Sequence, residues 1–158
     1  MDQFMKKTIE KDFKRFFNNV GKRKEYVGDL VVIKARKLKG CNLDINGPLP
    51  KFNITPDPEY GIIKTRFRTL HDGDYRIPLI SNRDFDTLFI MRINRGKCII
   101  EDVYAIPKKE LDGKRVITID CGQTYQKFKI DEKPYNEIYC IMRTGKYSIT
   151  EDDSIIIT

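Results

Sequence analysis

The chain has 158 residues, 40% hydrophobic and 34% charged, enough to bury one core and too few for two comfortable domains. Thirty Lys and Arg against 23 Asp and Glu leave a net charge of +7 and a pI near 9.2, a surface that draws phosphate backbones and anionic membranes alike. No run approaches the roughly 18 apolar residues of a membrane span, the first residues lack a signal-peptide centre, and the scattered Cys41, Cys98, Cys121 and Cys140 offer neither a zinc ribbon nor a CxxC pair.

The expectation from these bounds is a soluble intracellular protein, cytoplasmic or nuclear, with reduced thiols and no membrane partner. Ile9, Phe13, Phe16, Phe17 and Val20 recur at helical spacing with lysines between them, which predicts an N-terminal amphipathic helix stopped by Gly21. The apolar run from Asp29 to Lys34 reads equally as a strand or as a helix continuing to Leu38. Between Gly40 and Pro58 four prolines limit regular structure to Leu43-Asp44-Ile45 and Phe52-Asn53-Ile54.

From Tyr60 onward short β-rich runs follow one another: residues 60–67, 75–80, 87–93, 98–105, 115–119, 126–130 and 138–142. Asn94-Arg-Gly-Lys97 between two of them predicts a hairpin that sets Leu88–Ile93 antiparallel to Ile99–Tyr104. Pro107 opens a short helix or turn ending at Leu111, and the terminal Ile155-Ile-Ile157 run predicts a last edge strand. The fold class is therefore α+β (α/β), a mixed sheet flanked by helices.

Ile63-Lys64-Thr65-Arg66, then Asp84-Phe-Asp-Thr-Leu-Phe-Ile90, then Tyr104-Ala-Ile-Pro107 resemble, in that order, the core of the PD-(D/E)xK nuclease superfamily, in its small homing-endonuclease and restriction-endonuclease-like branch. The resemblance covers about residues 59–111. It implies a restriction-endonuclease-like core at about 1–111 within a single domain 1–158, with residues 112–158 as a β-rich C-terminal extension. It further implies a magnesium- or manganese-dependent DNA endonuclease, of homing or restriction type, acting on duplex DNA as a homodimer or higher homo-oligomer, as in a mobile element or virus.

In such a site two carboxylates hold a divalent ion on the scissile phosphate, the ion acidifies a water, and a lysine ending the central strand stabilises developing charge. The resemblance gives the lysine's role to Lys64. The metal ligands come from Asp44 or Asp57, with Asp44 preferred because a hairpin fits between it and Lys64, and Asp29 third. The place two residues before the lysine, acidic or amide in the superfamily, holds Ile62. Glu59 is redirected towards the site only if Gly61 forms a bulge, and Glu10 would support the site from the first helix.

Arg66, Arg68, Arg76 and Lys97, interleaved with Phe67 and Tyr75, form a candidate nucleic-acid-binding face. His71 has no second histidine, and no phosphate-loop, dinucleotide, nucleophile-elbow or zinc-protease motif occurs. Three expectations result: the endonuclease, a non-catalytic nucleic-acid-binding domain of the same fold, and a protein-interaction module.

Overall fold

A computed structural model describes residues 3–4, 7, 24–41, 43, 45–46, 53–69, 75–78, 85–94, 97, 99–119, 124–144, 147–149 and 155–157. These show a mixed α+β protein that divides into two compact units, residues 1–55 with 133–158, and residues 56–132. Gln3, Phe4 and Lys7 are helical; the rest of the expected first helix, with Glu10, lies outside the described residues.

In the first unit the open reading at Asp29 resolves as helix α1, Lys24–Leu38. Asp29, Leu30, Val31, Val32, Ile33, Ala35 and Arg36 are all buried, so the run is apolar without alternation because the helix is enclosed on most sides. It ends in a Schellman cap: Cys41 N–H donates to the Arg36 carbonyl at 3.0 Å, Gly40 N–H to Lys37 at 3.0 Å, and Gly40 takes φ +84°. Strands β1 (Ile45–Asn46) and β2 (Asn53–Ile54) pair antiparallel, where the two fragments were expected.

The run at 138–142, expected as β, is instead part of helix α2, Lys133–Thr144. Tyr135, Ile138 and Tyr139 are buried to 1% exposure or less and lie three and four residues apart, so the burial period is helical and a five-residue window was too short to reveal it. Pro134 stands in the first turn, where its missing N–H costs nothing. The two helices pack together, and β9 (Tyr147–Ile149) pairs antiparallel with the terminal strand β10 (Ile155–Ile157).

The second unit is built on a four-stranded sheet in the order β3 (Ile63–Thr69), β5 (Thr87–Asn94), β6 (Ile99–Pro107), β8 (Lys129–Ile130). The β5–β6 hairpin forms antiparallel as predicted, with a register shift at Arg92/Ile93, while β3 runs parallel to β5. Strand β4 (Tyr75–Pro78) pairs antiparallel with β7 (Val116–Ile119) in a separate two-stranded sheet. The predicted turn after Pro107 is a 3-10 helix, Lys108–Leu111. The expected strand at 126–130 shortens to β8, because residues 126–128 form another 3-10 turn.

One face of this sheet carries the unit's main apolar cluster: Leu88 and Ile90 of β5, Tyr104 and Ile106 of β6, Leu111, Ile117 and Ile119 of β7, and Tyr125. Phe85 and Phe128 pack against it half-buried.

The start of β3 is set by a turn. Asp57 and Gly61 exchange backbone hydrogen bonds of 2.8 and 2.9 Å, and Gly61 has φ +68°. Its missing Cβ leaves room for the Asp86 carboxylate, whose Oδ2 accepts the Ile62 N–H at 2.8 Å. Gly61→Ala therefore combines a left-handed penalty with displacement of a bonded carboxylate, and should destabilise the protein by about 2 kcal/mol or more. Gly40→Ala, in open space, should cost about 1 kcal/mol. Denaturant unfolding of the two variants checks this ranking.

Candidate nucleic-acid interface

Lys64 is the second residue of β3, which is the edge strand of the described sheet, so the lysine opens an edge strand where the resemblance expected it to end a central one. The reason lies one residue earlier, where the Ile62 carbonyl accepts N–H groups from Asp86 at 2.8 Å and Thr87 at 3.2 Å and parallel pairing begins. The register sets Lys64 opposite Leu88 and Arg66 opposite Ile90, so both cations share the face of the apolar cluster.

At that rim Phe85 is flanked by two ammonium groups. Lys64 Nζ lies 5.9 Å and Lys108 Nζ 5.7 Å from the ring centroid, within the range where a cation is drawn to an aromatic face. Two further pairs border the same cluster: Lys114 Nζ, 5.3 Å from the Tyr125 centroid, donates to its hydroxyl at 3.0 Å, and Lys127 Nζ lies 5.1 Å from the Phe128 centroid. The lysine stems cover apolar surface while their charged ends stay at the boundary with water.

The predicted arginine face is only partly described. Arg66 is half-buried and donates to its neighbour's carbonyl, Thr65, at 3.3 Å. Arg68 and Arg76 lie on β3 and β4, their side chains outside the described residues. Lys97 is exposed in the hairpin turn, where its N–H donates to Asn94 Oδ1 at 3.2 Å. Asp44 and His71 also lie outside the described residues.

Asp57 is 3% exposed, and its Oδ1 accepts the N–H groups of Glu59 at 2.8 Å and Tyr60 at 3.1 Å. It caps the turn before β3, with Glu59 exposed in that turn. Asp29, the third candidate, is buried in α1. Among the described residues no three His, Cys, Asp or Glu side chains come together as a metal-binding group.

Sequence reasoning missed Phe85, Asp86 and Lys108 as site residues, although the first two stood inside a quoted motif and Lys108 directly after another. Lysines spaced around an aromatic at the ends of apolar runs were the available signal. A tighter polar group lies further along the same face: Asp102 bridges Arg92 at 3.2 Å and Lys129 at 2.9 Å, and Tyr104 Oη lies 3.5 Å from Arg92 Nη1.

Cys41 and Cys140 are not joined in a disulfide, and Cys41 Sγ accepts from buried Arg36 at 3.1 Å. Among the described residues no helix is long and apolar enough to cross a membrane. The sequence matches no protein-family model and no curated protein.

The hydrogen bond to Asp102 holds the Lys129 ammonium above the usual lysine value of 10.5, against a smaller opposing effect of burial. A raised folded pKa makes the pair's stability contribution full below the unfolded value and lost as pH rises through the raised one. The stability difference between wild type and Lys129→Gln should therefore be constant up to about pH 9 and shrink above 10.5. Denaturant titrations across that range read it directly, and a difference that stays flat would contradict the pairing.

Proposed function

We propose that the second unit binds nucleic acid through the lysine-flanked aromatic rim, with Phe85, Lys64 and Lys108 at its centre. The observation that carries this reading is the placing of two ammonium groups within 6 Å of one half-buried ring. Ammonium groups suit phosphates and a ring edge suits a base or sugar, a combination that binds polynucleotides without a metal or a nucleotide cofactor. Arg66 on the same sheet face extends the basic border.

A second reading is the metal-dependent endonuclease, with a chain of this size working as a homodimer or higher homo-oligomer on duplex DNA. One observation favours it. Ile62 stands where the resembled superfamily carries an acid or amide, and the residue beside it, immediately before β5, is Asp86, whose carboxylate accepts the Ile62 N–H. Magnesium or manganese would then be held by Asp86 together with a second carboxylate of the same unit.

Anisotropy titrations with labelled single-stranded and duplex oligonucleotides separate the two readings. Lys64→Ala/Lys108→Ala should weaken binding on the order of tenfold, and Phe85→Leu should weaken single-strand binding by about 1 kcal/mol or more. Unchanged affinity in both variants, or no binding by wild type at low salt, would sink the first reading. Magnesium-dependent cleavage of duplex DNA, lost in Lys64→Ala and in Asp86→Asn, would establish the second; intact DNA with either metal across many sequences would remove it.

A further inference from the structure

The net charge is not shared between the two units. The first unit holds 16 Lys and Arg against 10 Asp and Glu, the second 14 against 13. Along the chain the asymmetry is sharper: residues 1–39 contain 12 basic and 5 acidic residues, an excess that equals the whole net charge of +7. The other residues are electrically balanced. A nearly balanced unit makes short-range contacts with a polyanion but exerts little pull across the Debye length of about 8–10 Å.

The described part of the basic segment shows how that excess is presented. Lys7 is exposed, and so are Lys37 and Lys39 at the end of α1, with Lys34 half-exposed one turn earlier on the Lys37 side. No acidic residue occurs in the sequence between Asp29 and Asp44. The helix end is also well braced, because the cap around Gly40 closes with hydrogen bonds of 3.0 Å and the buried Arg36 guanidinium reaches Cys41 Sγ at 3.1 Å. Lys37 and Lys39 therefore stand on a fixed helix terminus. The terminal dipole of a helix amounts to about half a charge, which Arg36, Lys37 and Lys39 together more than offset.

We infer that the long-range, sequence-independent part of nucleic-acid contact belongs to the first unit, through the exposed Lys37 and Lys39, with the phosphate backbone as the partner. The inference rests on the nucleic-acid reading above and divides its labour. The first unit attracts any phosphate backbone, and the Phe85 rim of the second makes the close contacts.

Salt dependence distinguishes these roles, since each duplex phosphate contact contributes about 0.9 to the slope of log affinity against log salt. The full chain, Lys37→Gln/Lys39→Gln, and the charge-matched Lys109→Gln/Arg115→Gln of the second unit are titrated with a labelled duplex oligonucleotide over a salt series. All four positions are exposed, so circular dichroism should match wild type in both variants.

The first pair should lower the slope by about 1 to 2 and lose several-fold affinity at low salt, while the second pair leaves the slope unchanged. Equal slopes in wild type and the Lys37/Lys39 variant, or an equal fall in both variants, overturns the inference while leaving nucleic-acid binding intact. Failure of wild type to bind any oligonucleotide sinks the parent reading instead. Binding to phosphatidylserine vesicles that depends on Lys37 and Lys39, with none to oligonucleotides, would make the surface a membrane contact and overturn the assignment.

Discussion

The Ile62 peptide group ties the second unit together. Its N–H donates to the Asp86 carboxylate, its carbonyl accepts from the Asp86 and Thr87 amides, and one residue away the Thr87 hydroxyl donates to the Tyr60 carbonyl at 2.7 Å. Parallel strands lack a short hairpin to hold their register, so β3 and β5, separated by a long connection, need such a clamp at their common start. The Asp86 carbonyl in turn accepts the Lys108 N–H at 2.9 Å. One aspartate thus joins the beginnings of β3 and β5 to the end of β6, and the same junction brings Lys64 and Lys108 to Phe85. On the opposite face Tyr60 meets Phe89 edge-on, with centroids 4.9 Å apart.

Once the register is set, the polar groups on the apolar face must be satisfied or kept at its border. Lys64, Lys108, Lys114 and Lys127 take the second course, their ammonium groups lying over rings at the border of the cluster. Arg92 and Asp102 take the first. Their side chains are only 11% and 14% exposed, and Lys129 adds a second cation to the same carboxylate. A charge so far from water is tolerable only with a close partner, so the Arg92–Asp102 pair helps to specify which residues of β5 and β6 stand opposite one another.

The division of charge gives the molecule two kinds of electrostatics. In the second unit cations and anions nearly balance, and the lysines act over the width of a ring. In the first, residues 1–39 hold an unbalanced field whose reach is set by ionic strength and not by contact geometry. The attraction and the close contacts proposed above thus fall to different stretches of one chain.

Much of the second unit is legible in the order of its residues. The β5–β6 hairpin follows from Asn94 to Lys97 between two apolar runs, and the 3-10 turn follows from Pro107. Lys64 was singled out only by the resemblance, as a lysine beside a metal and not as a neighbour of Phe85. Short apolar runs were less informative: α1 and the 138–142 segment of α2 read as helix only when burial reveals which positions face the core. Asp57 looked like a ligand in a motif and proved to cap a turn, since a side chain's partner is set by where the backbone amides of Glu59 and Tyr60 come to lie.

By itself the sequence determined the α+β class, the turns, the net positive charge and its concentration in the first 39 residues, because these depend on composition and on neighbours along the chain. Only the tertiary structure decided that β3 runs parallel to β5 and that Phe85 gathers Lys64 and Lys108. Those contacts join residues more than twenty positions apart, and the hydrogen bonds that enforce them, from Ile62 to Asp86 and from Lys108 to Asp86, leave no periodic trace in the order of residues.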